Sequence, residues 1–204
     1  MSRSAKAVLF VLGGVAAVGG GAIAVLVMHG VSARDEPTAM EAWIARLTRR
    51  LATPRSQREA KNPIPLTPEL LIRARAHFAD HCALCHGNDG RGKTTVGRNL
   101  YPKAPDMSQS ATQSLSDGEL FSIIRNGVRL TGMPAWGGDA AEDDRENWEL
   151  VLFIRHLPAI TPEEARQMEA LNPRSRKEFE EEEDERRFLE GSPDAPASPP
   201  AHKN

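Results

Sequence analysis

The stretch that most restricts what this chain can become is "AVLFVLGGVAAVGGGAIAVLVM", Ala7–Met28, in which no residue carries a charge. As a helix it reaches roughly 33 Å at 1.5 Å per residue, enough to cross a hydrocarbon core of about 30 Å. Arg3 and Lys6 precede it. Positive charge stays on the cytoplasmic side of a span, so residues 1–6 are expected inside and everything after residue 28 is exported. A cleaved signal peptide is the competing reading, with Val31–Ala33 as the cleavage site. The uncharged run exceeds the usual apolar region of about 7–15 residues, which favours an uncleaved transmembrane anchor over residues 7–28, held by the lipid bilayer.

Residues 29–65 read as a linker containing one amphipathic helix at about 38–53. Met40, Trp43, Ile44, Leu47 and Leu51 fall on one stripe, with arginines opposite. Two placements are open: on the membrane surface, where Arg46, Arg49 and Arg50 would meet lipid phosphates, or against the next domain. "TPRSQREAKNPIP" after it is irregular, rich in proline and charge.

A compact domain is expected over residues 66–160. Thr67 caps a helix with Pro68 in its first position, and Leu71, Ala74, Phe78, Cys82 and Cys85 follow at steps of three or four. A second helix opens at Ser116 with a capping box to Glu119 and stops at Gly127. A third runs from about Asp143 to Leu157, acidic at its start and basic at its end, with Pro158 behind it. No strand pattern is present, so the fold class is all-α: three main helices joined by long loops, preceded by one transmembrane helix. Such loops in a small domain usually wrap something. Residues 161–204 comprise a short capped helix and an acidic, Pro-rich tail, expected to be disordered or partly helical. The net charge of −2 gives no footing for nucleic-acid binding.

The chain has two cysteines, and both sit in "HCALCHG", residues 81–87. A redox dithiol would call for a thioredoxin-like βαβ pattern, which is missing. Structural zinc takes about four ligands, and no second cysteine pair exists to complete the set. The third option uses every residue: Cys82 and Cys85 as thioethers to the vinyl groups of one covalently attached haem c, and His86 as its proximal nitrogen, the C-x-x-C-H pattern of c-type haem attachment.

"HFADHCALCHGNDGRG" together with "TGMPAWGG" resembles class I cytochromes c, in particular the small membrane-anchored bacterial domains similar to the cytochrome c domain of cbb3-type oxidase subunits. The likeness covers about Leu66 to Leu157. Ala74 departs from it, standing where many such domains have a glycine at the crossing of the first and last helices. The resemblance implies a sixth ligand from a methionine. Met133, in "RLTGMPAWGG", lies far enough beyond His86 to return across the opposite haem face, whereas Met107 in "APDMSQS" reads as a loop side chain. His/Met ligation closes the iron and raises its potential, which favours electron transfer over catalysis. The resemblance also places the carbonyl partner of His86 near Pro102 or Pro105, and Arg98, Tyr101 and Lys103 within reach of the propionates, with solvated loop positions as the alternative. Trp136 reads as packing on the haem edge or in ordinary core. The expected role is single-electron transfer between membrane or periplasmic redox proteins at the periplasmic face of a bacterial inner membrane. A fixed oxidase or dehydrogenase subunit and a haem-based ligand sensor are the alternatives.

Overall fold

The computed structural model describes residues 2–30, 32–174 and 176–190, and among them there is no β-strand. The first helix, α1, runs Arg3–His29. Its apolar window, Arg3–Val25, is long enough to cross a membrane and none of it is buried against the rest of the chain. α2 (Ala39–Ala52) is started by a reciprocal capping box between Thr38 and Glu41, which satisfies two backbone donors that the first turn would otherwise leave open. A single-turn helix α3 (Arg55–Arg58) follows.

α4 (Pro68–His81) starts at Thr67, whose hydroxyl accepts from the Leu70 amide. It buries Ala74, Phe78 and Ala79. After Cys82 the chain makes one further turn, α5 (Ala83–His86), ended by Gly87. Two more single turns, α6 (Thr95–Arg98) and α7 (Ser110–Gln113), punctuate the long loop. α8 (Asp117–Asn126) has the Ser116–Glu119 capping box and ends at Gly127. α9 (Ala141–His156) carries three acids in its first turn and a basic pair in its last, the arrangement that complements its dipole.

α4 crosses α9, and the crossing is the core: Ala74, Phe78, Leu150, Val151, Phe153, Ile154 and Leu157 are all buried there, joined by Leu120 and Ile124 of α8. The rings of Phe78 and Phe153 lie 4.9 Å apart and tilted, a favourable aromatic geometry. Ala74 is fully buried. Glu149 is a buried carboxylate in this layer, ion-paired with Arg73 and with Arg145 (3.2 Å). Paired in this way, its charge need not be neutralised to be buried.

Segments on either side also pack on this core. Arg58 offers its carbonyl to the Ser116 hydroxyl, and Asn62 donates to the Trp148 carbonyl at 2.8 Å. Beyond Ile160, helix α10 (Pro162–Glu169) inserts Met168 into the core, while the Glu164 carboxylate accepts from the Thr161 amide at 2.9 Å and pairs with His156 at 3.0 Å. The acidic charge run is helical as α11 (Arg176–Leu189). The Pro-rich end of the tail, residues 191–204, lies outside the described residues.

Candidate haem-binding site

The site begins where α4 gives way to α5. The amides of Cys85 and His86 both donate to the Cys82 carbonyl, at 3.2 and 2.9 Å, so the two thiols and the imidazole share one tight turn. Neither cysteine is disulfide-bonded. Burial pushes the Cys82 thiol up to about 12 and also raises Cys85, so both are uncharged at neutral pH. Burial lowers His86, against an opposing pull from the Pro105 carbonyl. A neutral imidazole keeps one lone pair for a metal and one N–H for an acceptor. The Nδ1 of His86 is completely buried and finds no well-formed hydrogen bond, although the Pro105 carbonyl is close enough to favour the protonated ring.

The loop after the motif is folded tightly against it. The Thr94 hydroxyl donates to the Cys85 carbonyl at 3.0 Å and accepts from Gly97 at 2.8 Å. A Cβ on Gly97 would stand 2.2 Å from that same carbonyl. Only a residue without a side chain fits. Gly92 donates to the His86 carbonyl at 2.7 Å, bringing the 104–105 stretch to the imidazole. Thr94 and Gly97 are the pocket residues that sequence reasoning missed. Their signal was a threonine cap followed by glycine in "TTVG", which reads only as a short turn until its partner is known.

Met133 lies on the loop that closes back over the end of α8. Val128 donates to the Met133 carbonyl at 3.1 Å, and Trp136 and Gly137 donate to the carbonyls of Ile124 and Arg125 at 3.0 and 2.9 Å. The loop thereby satisfies acceptors that the helix end leaves open. The Leu100 side chain packs directly on Gly132, so the loop carrying Met133 meets the loop carrying Pro105. The two methionines differ in use: Met107 is buried in the core, whereas Met133 is half-buried and outside it. Trp136 packs against the core and sets its ring edge-on to His81 at 5.2 Å.

Arg98, Tyr101, Pro102 and Pro105 are exposed. Tyr101 and Lys103 turn toward the segment before the domain. Burial and the Glu41 carboxylate hold the Tyr101 hydroxyl above its ordinary value, and Lys103 pairs with Glu36 at 3.6 Å and donates to the Arg34 carbonyl at 2.8 Å.

Two unpaired thiols on one turn, a half-buried imidazole with an enclosed, orphaned nitrogen and a methionine left out of the core are a donor set that fits a c-type haem. Residues 70–154 match the sequence model of the family described as cytochrome C oxidase, cbb3-type, subunit III. This stretch, from the first turn of α4 to the last of α9, is thus similar to the cytochrome c domain of cbb3 oxidase subunits, a family that implies electron transfer and haem c. Among characterised proteins, the cbb3-type cytochrome c oxidase subunit FixPc of Rhizobium leguminosarum bv. viciae is 33% identical over 94 residues, which are 46% of this chain and 30% of that protein. The chain therefore spans about a third of the length of this relative.

Proposed function

We propose that the protein is a membrane-anchored monohaem cytochrome c that carries single electrons between redox partners at the periplasmic face. The observation that carries this reading is His86, half-buried with its Nδ1 fully enclosed, sharing one turn with two unpaired thiols and facing the Pro105 carbonyl. Covalently bound through Cys82 and Cys85, haem c would supply a one-electron iron couple. His86 would hold the iron from one side, and the Pro105 carbonyl would orient the ring as an outer-shell acceptor orients a metal-bound histidine. Met133, on the loop hydrogen-bonded to the end of α8, would supply the thioether ligand. Held by both His86 and Met133, the iron would keep no open site for a substrate, which suits electron transfer. Trp136, packed against the core and edge-on to His81, would shield one edge of the group from water. Arg98, exposed at the end of α6, would serve a propionate. Residues 7–28 hold the whole in the bilayer.

The test is Met133→Ala in matured protein. The expected outcome is a lower reduction potential, loss of the ferric Met–iron charge-transfer band and rapid carbon monoxide binding to the ferrous form. Unchanged potential and unchanged resistance to carbon monoxide would remove Met133 from the iron. Rapid carbon monoxide binding by the unaltered protein would make it a ligand sensor instead.

A second reading, a fixed subunit of a larger oxidase, is favoured by the similarity to FixPc, which is named as such a subunit. Co-purification of the detergent-solubilised protein with a larger haem-containing assembly would select it.

A further inference from the structure

α2 presents Met40, Trp43, Ile44, Leu47 and Leu51 to the outside, with exposures running from 39% at Leu47 to 76% at Leu51. No residue of this helix is buried. An apolar stripe of this kind needs a cover, and the domain does not supply it, because the domain already holds the opposite face. The residues of α2 and its cap that are half-buried are Ala42, Arg49 and Thr53, which at 100° per residue lie roughly 180° from the centre of the stripe. Arg49 is desolvated there beside the Glu119 carboxylate, and Glu41 lies beside Tyr101. Upstream, Lys103 holds Glu36 and the Arg34 carbonyl. The helix is thus docked by its polar side and displays its apolar side.

What covers the stripe follows from the tether. α1 ends at His29 and α2 begins at Ala39, and the intervening chain reaches at most about 30 Å when fully extended. With the anchor in the bilayer, α2 stays within reach of the membrane surface. Arg46 and Arg50 flank the stripe on one side and are exposed, the position from which arginines extend to lipid phosphates while the apolar side chains enter the acyl boundary. We propose that α2 lies in the membrane–water interface with Trp43, Ile44, Leu47 and Leu51 immersed, and that its docked polar face fixes the orientation of the cytochrome domain over the bilayer. This rests on the reading of residues 7–28 as an uncleaved anchor.

The experiment uses the full-length haem protein, reduced, in phosphatidylcholine vesicles with and without phosphatidylglycerol. Single spin labels are placed through Ile44→Cys, Leu47→Cys and Leu51→Cys, with Ala45→Cys as the water-facing control and Val15→Cys as the anchor control. The native thiols are consumed by haem attachment. The expected result is a collision ratio, oxygen over a water-soluble nickel chelate, several-fold higher at 44, 47 and 51 than at 45, rising further with phosphatidylglycerol. Equal ratios at all four positions, with Val15 lipid-immersed, would overturn the proposal while leaving the anchor standing. Protection of 44 and 47 from both probes would mean a protein cover and would overturn it as well. A water-accessible Val15 label would overturn the anchor reading, and this inference with it. Ile44→Glu with Leu47→Glu is expected to bring the Leu51 label out to the ratio of the control without altering the haem spectrum.

Discussion

Gly127 has φ +64 where α8 stops, and a Cβ there would meet the backbone of Met133, Pro134 and Ala135 at 2.6–2.8 Å. It is the point at which the methionine loop lies directly on the helix end. Gly127→Ala is expected to cost about 1–3 kcal/mol for the left-handed backbone alone, and to displace the loop because the clash is with main chain. Weakening of the ferric Met–iron band together with a lowered melting temperature would confirm it; a fall in stability with an intact band would separate the two effects. Glu149 yields a prediction in pH. Burial alone would raise its carboxyl, but hydrogen bonds from Arg73 and Arg145 outweigh that and hold it below its usual value of 4.5. A group depressed on folding stabilises fully above its unfolded value, and that contribution is lost as pH falls through the folded one. Stability should therefore decline below about pH 4.5, and Glu149→Gln should flatten that limb while costing about 1–3 kcal/mol at neutral pH, read by denaturant titration at several pH values. At this scale the gathering of Cys82, Cys85 and His86 on one turn was legible, because their contiguous spacing alone brings them together. Choosing between Pro102 and Pro105 was not, since it depends on the loop path that Gly92 and Gly97 permit. The separation of Met107 from Met133 was argued from chain distance, and the structure adds its own reason: one is in the core and the other is not.

The helices themselves were written locally. Thr38, Thr67 and Ser116 each accept the amide three residues on, and such caps can be read before any packing is known. What local signals do not carry is which helix touches which. Helix α10 was readable from Thr161, Pro162 and Glu164, yet nothing in its sequence tells that Met168 would be fully buried against α4 and α9; a lone methionine in an acidic segment reads equally well as solvated. Residues 54–65, of which only the single turn α3 is helical, show the same limit. Their contacts with α8 and α9 use backbone carbonyls and Asn62, groups that leave no hydrophobic pattern. Met168→Ala should cost about 2–5 kcal/mol, the usual range for emptying a buried side chain of this size. In a domain of this size each kcal/mol moves the melting temperature by roughly 4–8 °C, so the shift is large. An effect below about 1 kcal/mol would mean that α10 detaches freely and adds nothing to the fold.

For the whole molecule the charge balance decides how partners are met. The chain carries 26 Lys and Arg against 28 Asp and Glu, and residues 66–160 carry ten against twelve. No basic ring is available to steer the domain toward an acidic acceptor, a device that can raise association rates by about 10–10³. The proposed anchor would offer a different route: a domain tied within tens of ångströms of the bilayer would meet membrane-bound partners at an effective concentration set by the tether, without attraction between charges. The two routes respond differently to salt. Raising ionic strength from about 0.01 M to 1 M shrinks the screening length from about 30 Å to about 3 Å, which abolishes steering but leaves a tether untouched. Re-oxidation of the ferrous haem in the protein's own membranes, followed optically after a pulse of oxidant, should therefore change by less than about threefold across that range. A decrease of ten-fold or more would show that localised charge guides the encounter; the acidic helix α11 would then be the first surface to neutralise, because it carries the densest charge in the described chain.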